Sequence, residues 1–411
     1  MSQPVKYIIL LTDGAADLPM VRMGGLTPLG VARKPAIDAL ATAGRGGTLA
    51  TVPGHMDPDS AVANLSVLGY DAASAYQGRG VLEAASLGVE LGPDDVAMRI
   101  NIINVDDGRI ADHSSGHIST ADATVLLDAL RDELANNGVE FFPGTSYRHL
   151  LVLRGARFDP RIDDWPPHDH VGKPVREARI TAKVPEAEYT AATLNRITTA
   201  SRGVLANHPI NLARVAQGKR PANTMWFWAA GRKPDMHTLQ DRYGITGAII
   251  SAVDLIHGLG VYAGMTSMDV EGVTGLYDTN YEGKADAAVE ALETHDLVYV
   301  HVEGPDEAGH ARDLGLKIHC IESIDKRLLT KLQAGLEAKD WKVVWAVLPD
   351  HLTPVERGDH VGSPVPVIIA DPDKPADAVT SYSEAGVLGG ALGEMVGPDF
   401  MDELLWRVRG N

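Results

Sequence analysis

The chain alternates short, almost unbroken apolar runs with longer segments whose apolar positions recur at helical spacing. This is the texture of buried strands separated by helices. A strand ends near Thr12, a helix follows near residues 36–44, and another helix opens at Ser60. Runs at residues 248–250, 297–302, 343–348 and 365–370 read as further buried parallel strands, so the pattern predicts an α/β fold. Between about residues 80 and 235 the texture changes, with a proline-rich loop at residues 165–170. The reading is a discontinuous domain of residues 1–79 and 235–411 around an inserted smaller domain, residues 80–234, with hinges near 78–80 and 231–234. No convincing internal repeat or low-complexity tract is visible.

Several acids and histidines follow the strands directly. Asp13 comes after the first run, Asp306 and His310 after the run at 297–302, and Asp350 and His351 after the run at 343–348. In open α/β sheets ligands bind at such strand ends. Asp306 and His310, four apart on a helical turn, point from one face, the spacing a metal clip needs. Each signal has a plainer reading: an exposed pair for Asp306 and His310, a turn for Asp13-Gly14, a loop histidine for His360. Adjacent Asp350 and His351 would face opposite ways in a regular strand. Four segments offering carboxylate or imidazole groups together point to a two-metal site, whose mixed ligands suit Mn²⁺ or Zn²⁺ better than Mg²⁺. Ser60 follows a Pro58 turn at a helix start, where an anion is favoured. That is also the usual capping position, the reading this stretch favours when taken alone.

Composition narrows the field. With 411 residues, 45% of them hydrophobic, the chain is long enough for two packed domains. A net charge of -18 without a basic block argues against nucleic acid as a partner, so an anionic substrate would need a local positive site. Cys320, the single cysteine, excludes an internal disulfide and a thiolate zinc site and reads as a structural thiol on a helix. No run approaches the ~18 apolar residues of a membrane helix, and the chain enters a strand within a few residues of Met1, so a cytoplasmic protein is expected.

Ordered motifs then carry a resemblance. They are Leu11-Thr12-Asp13-Gly14, SAVANLSVLGY at 60–70, Gly78-Arg79-Gly80 with LEAAS at 82–86, SSGHIST at 114–120, GKRPAN at 218–223, DTNYEGK at 278–284, PDEAGH at 305–310 and Pro349-Asp350-His351. Over nearly its full length the chain resembles the cofactor-independent phosphoglycerate mutases of archaeal type and their bacterial relatives, within the alkaline phosphatase superfamily. The resemblance implies an alkaline-phosphatase-like, mostly parallel sheet flanked by helices, with an inserted α+β cap. It implies two divalent ions, Mn²⁺ first and Zn²⁺, Co²⁺ or Mg²⁺ as alternatives, and no 2,3-bisphosphoglycerate. Asp13, Ser60, Asp350 and His351 would surround one ion; Asp306, His310 and His360 would hold the other. Ser60 would take the phosphoryl group of 3-phosphoglycerate and return it to the 2-hydroxyl while the cap excludes water. Arg79, Arg99, His117 and Lys284 would hold the small phosphorylated substrate, although His117 lies in a Ser/Thr-rich capping stretch.

The chain departs from the family pattern close to that site. Ala61 and Asp59 stand where an acid after the serine and a glycine before it are usual. Gly358, preceded by Arg357, stands where an arginine is expected, and Val361 and Ser363 follow His360 in place of the usual residues. Trp226-Phe227-Trp228 links the chain to a bacterial branch with members proposed to be homoserine kinases. Kinase-like transfer to a small hydroxyl therefore competes as a reading, although no Gly-rich P-loop is present. Phosphatase action on a small phosphomonoester is a second alternative. A metal-binding pseudoenzyme ranks last.

Overall fold

In the computed structural model, which describes residues 3–409, the strand Val5–Thr12 lies at the middle of an eight-stranded sheet. Leu297–Val302 flanks it on one side and Lys342–Leu348 on the other, both parallel to it. The sheet runs on through Gly247–Ile250 and Thr266–Ser267 at one edge, and through Val365–Ala370, Arg45–Ala50 and Gly393–Val396 at the other. Ile8, Ile9, Leu10 and Leu11 are wholly buried. A strand covered on both faces needs apolar residues at every position, which is why these runs do not alternate.

One expectation is corrected. Val365–Ala370 runs antiparallel to both of its neighbours, Lys342–Leu348 and Arg45–Ala50. Burial on both faces leaves the same apolar signature whichever way a strand points. The fold is α/β, with a mixed, mostly parallel sheet and a separate antiparallel one. Its helices start where the sequence provides for it: Pro35 opens Pro35–Ala43, and Asp59 caps Ser60–Val67. No helix among the described residues is long and apolar enough to cross a membrane.

The chain divides into two compact units, one made of the described residues up to Tyr76 with those from Asp235 onward, the other of residues 77–234. In the smaller unit, Val96–Asp106 pairs antiparallel with Arg109–Asp112, Arg148–Leu153 and Thr224–Arg232. Val96, Met98, Ile100 and Ile102 point into a core shared with the helices Thr120–Leu134 and Glu188–Ala206. The period of two then places Arg99 and Asn101 on the other face. Entry and exit of this unit run side by side, since a side chain on Gly231 would collide with the Gln77 carbonyl and one on Gly78 would lie 2.8 Å from that of Ala230.

Candidate active site and metal centre

The site of the larger unit is assembled at the carboxyl ends of the three central strands. The chain leaves Val5–Thr12 through Asp13 and Gly14. Gly14 has φ 60°, and a Cβ there would stand 2.5 Å from Asp306 Oδ1, so only glycine lets this turn pass so close to the helix Gly304–His310. That helix carries Asp306 and His310 on one side, and His310 Nε2 lies 3.1 Å from Asp306 Oδ2. From the loop beyond Lys342–Leu348, His360 Nε2 comes to 2.9 Å from His310 Nε2 and 3.5 Å from Asp306 Oδ1. The His351 ring stacks on that of His360 with centroids 3.9 Å apart.

Two sets of ligand atoms converge, Asp306, His310 and His360 in one and Asp13, Asp306 and His351 in the other, each lying within 4.8 Å. Asp306 is common to both. Asp350 joins from behind: its Oδ1 accepts from the Gly14 N–H at 3.2 Å and its Oδ2 from Asn64 Nδ2 at 2.8 Å. Asp13 Oδ1 is buried and has no hydrogen-bond partner among the described residues, His351 Nε2 standing 3.6 Å away. Burial, and then the charges of Asp350, Asp306 and Glu303, push the Asp13 carboxyl well above its usual range. Burial, Glu307 and Asp306 raise Glu303 to about 8. Burial also opposes charge on Asp306, but hydrogen bonds from His310 and His360 outweigh it and hold its carboxyl well below the usual range. An open carboxylate oxygen among further carboxylates and imidazoles, out of water, fits a divalent cation.

Ser60 opens the helix Ser60–Val67, but the cap is Asp59, whose Oδ1 accepts from the Ala61 N–H at 2.8 Å. The Ser60 hydroxyl therefore does not perform the capping role the sequence alone favours; it lies 3.1 Å from His351 Nε2. One turn on, Asn64 Nδ2 donates to both Ser60 O and Asp350 Oδ2, each at 2.8 Å, which locks the serine's helix to the acid. Tyr299 donates to Asn64 Oδ1 from the neighbouring strand.

Among the sequence candidates for substrate binding, Lys284 is buried in this unit with Nζ donating to His301 O at 2.6 Å. Burial lowers its ammonium to about 8. Arg79, Arg99 and His117 belong to the smaller unit. Arg99 Nε is 2.7 Å from Glu83 Oε1, and its guanidinium lies over the Trp228 ring at 4.4 Å. Burial lowers its pKa; the Glu83 charge opposes this, while the charges of Arg79 and Arg148 add to the lowering. His117 is exposed, with its ring 6.2 Å from that of Tyr147.

Sequence reasoning passed over several residues here. Arg148 stands opposite Asn101 on the Arg99 face, with its guanidinium over Tyr147. His168 packs edge-on against Trp228 and lies 6.1 Å from His113. In the larger unit, His301 Nε2 is 2.9 Å from Asp13 Oδ2 and its Nδ1 is 3.1 Å from Ser251 Oγ, which fixes the one Asp13 oxygen that is engaged. A lone histidine inside the apolar run LVYVHV was its signal. Asn64, four residues after Ser60, could have been found by helical spacing; Thr353, which donates to Asp306, sits in a loop and left no trace.

A family profile for 2,3-bisphosphoglycerate-independent phosphoglycerate mutase matches residues 41–211. The chain is 49% identical over 390 residues to 2,3-bisphosphoglycerate-independent phosphoglycerate mutase 2 of Methanothermobacter thermautotrophicus, covering 95% of this chain and 94% of the relative. The chain belongs to that family.

A probable mutase of the family from Geobacter sulfurreducens is 44% identical, over 94% of this chain and 96% of its own. Among solved structures, the PH0037 protein of Pyrococcus horikoshii matches with a TM-score of 0.83 and 27% identity, over 99% of this chain and 98% of the other. The cofactor-independent phosphoglycerate mutase of Thermoplasma acidophilum matches at 0.70 and 27%, over 99% and 100%.

The departures from the family pattern now have places. Ala61 is fully buried, and the carboxylate found one place before Ser60 caps the helix. Gly358 takes φ 72°, and Arg357 is exposed and paired with Asp359 at 2.9 Å.

Proposed function

We propose that this chain interconverts 3-phosphoglycerate and 2-phosphoglycerate through a phosphoserine at Ser60, with two divalent ions at the strand-end cluster. Asp306, His310 and His360 would hold one ion, and Asp13, Asp350 and His351, with Ser60, the other. The observation that carries this reading is the unpartnered, buried Asp13 Oδ1 in a nest of acids and imidazoles whose His351 touches the Ser60 hydroxyl. When bound, the ions would supply Lewis acidity to the phosphoryl oxygens and ease ionisation of the serine.

The remaining work falls to the chain. Asn64 and the Asp59 cap fix Ser60 so that its oxygen can attack phosphorus in line. The phosphorus–oxygen bond to C3 breaks as the bond to Ser60 Oγ forms, and the C3 oxygen gains the proton that the serine loses. The reverse step delivers the group to the C2 oxygen, so no water or cofactor is consumed. Arg79, Arg99 and Arg148 are the cations proposed for the substrate's phosphate and carboxylate, a task suited to planar guanidinium forks. We assign the smaller unit the role of substrate-binding cap and the larger that of metal-binding domain.

The test is to incubate the Mn²⁺-loaded protein with 3-phosphoglycerate and follow phosphorus NMR. Growth of the 2-phosphoglycerate resonance without free phosphate is the expected result. Release of phosphate alone would replace the mutase reading with a phosphatase.

A further inference from the structure

A second site is carved into the smaller unit. A cavity of about 980 Å³ opens between the loop after Val96–Asp106, the short turn Val175–Ala178 and the helix Glu188–Ala206. Five arginines line it: Arg109, Arg176, Arg179, Arg196 and Arg202. This is a concentration of positive charge in a chain whose net charge is -18. Asp107 is the one carboxylate among the lining residues.

The arginines elsewhere in the same unit set a contrast. Arg131, Arg154, Arg161, Arg214 and Arg220 each lie within 3.6 Å of an aspartate. Arg176, Arg179, Arg196 and Arg202 have no ion pair with any described residue. Arg202 Nε is buried without a hydrogen-bond partner among the described residues. Arg196 and Arg202, six apart on one helix, share with Asn195 and Thr199 the stripe that faces the cavity. Like charges gathered in this way repel one another, and an anion bearing several charges relieves that repulsion.

The rest of the wall mixes the polar Asn195, Thr198 and Thr199 with an apolar patch. Val175, Ile180 and Trp226 contribute to it, and the Trp226 Nε1–H is already given to Trp165 O at 2.6 Å. Guanidinium groups beside an apolar patch, to which Trp226 adds only the edge it leaves uncovered, suit a ligand that joins several negative charges to a flat ring. The volume lies at the upper end of the ~300–1,000 Å³ common for ligand pockets. It is generous for a three-carbon phosphate. None of Arg79, Arg99 or Arg148 lines it, so it is separate from the substrate-binding cations proposed above.

We propose that this cavity binds a nucleoside di- or triphosphate, with the arginines on its phosphates and the ring against the apolar patch. The proposal stands independently of the mutase reading. The test is calorimetric titration of the full-length protein with ADP, in EDTA so that no metal-held phosphate contributes, alongside adenosine and pyrophosphate. Saturable one-to-one ADP binding is expected, at least tenfold tighter than either fragment. The double variant Arg179→Gln/Arg196→Gln changes two exposed side chains, and its ADP affinity should fall at least tenfold with an unaltered unfolding midpoint. Should that variant fold poorly, Arg176→Gln alone serves, with a fall of at least threefold.

No ADP binding up to millimolar concentration overturns the proposal, as does equal affinity in a well-folded variant. Pyrophosphate binding as tightly as ADP also overturns it, because the ring would then have no part. Sedimentation closes the remaining route: self-association abolished by Arg179→Gln/Arg196→Gln would make this face an interface between copies of the chain and not a ligand site.

Discussion

Because Asp59 provides the oxygen that caps its helix, the Ser60 hydroxyl is left facing His351, and the residue can be altered without unravelling its surroundings. Ser60→Ala should lower turnover by a factor on the order of 10⁴ or more, the scale on which removal of a nucleophile acts. The thermal midpoint should move by no more than a few degrees. Phosphorus NMR and a melting curve check the two halves, and near-normal turnover would remove Ser60 from the mechanism. His149 offers a separate test at residue scale. It accepts from the Gly144 N–H through Nδ1, its Nε2 is buried without a partner among the described residues, and burial lowers its pKa to about 4. The unfolded chain binds that proton near pH 6.5 and the folded one near 4. Stability from neutral His149 is therefore complete above pH 6.5 and is lost as pH falls toward 4, by up to about 3 kcal/mol. In His149→Gln, urea unfolding across that window should lack this slope; parallel curves for both proteins would sink the assignment.

At the scale of elements, the helix Ser60–Val67 has eight residues, and seven of them are buried. Asp59→Ala should cost about 1 kcal/mol, the usual worth of such a cap. It should also reduce turnover, because the first turn carries Ser60, whereas Asp59→Ser should restore most of both. Denaturant midpoints and turnover measured on the two variants decide; a loss of turnover not recovered by serine would mean that the carboxylate acts beyond capping. The strands show where the sequence was readable. Val5–Thr12, Leu297–Val302 and Lys342–Leu348 stand out as apolar runs, and the acids at their ends mark one edge from the sequence alone. The direction of Val365–Ala370 was not visible, because it depends on which neighbour supplies its hydrogen bonds and not on its own side chains. Arg148 escaped for a similar reason: only pairing with Asn101 reveals which face it shares.

For the whole molecule, the strand-end cluster gathers Asp13, Asp306 and Asp350 in one buried place, where the charges of the other two help burial to push the Asp13 carboxyl up. Stripping metal with EDTA should lower the thermal midpoint and abolish turnover together. Restoring Mn²⁺ to a hundred times its dissociation constant should return about 2.7 kcal/mol of stability for each ion bound. Scanning calorimetry across a Mn²⁺ titration measures this, and a midpoint indifferent to metal would contradict the two-ion reading. The acids and histidines of this cluster were legible because Asp13, Asp306, His310, Asp350 and His351 come soon after strands, whereas His360 stands in a loop. The arginine-lined cavity left no comparable motif, because Arg109, Arg176, Arg179, Arg196 and Arg202 are brought together by folding alone.

The place of Val5–Thr12 in the sheet also bears on how the protein is made. Its two partners, Leu297–Val302 and Lys342–Leu348, are translated nearly three hundred residues later or more. At ~5–20 residues per second, this strongly apolar strand waits about 15–60 s on the ribosome before either partner exists. The unit of residues 77–234, contiguous and with its ends side by side, can be finished in that interval. The nascent protein thus carries a completed domain beside an orphaned hydrophobic strand, the kind of segment that chaperones shield and that self-associates when they do not.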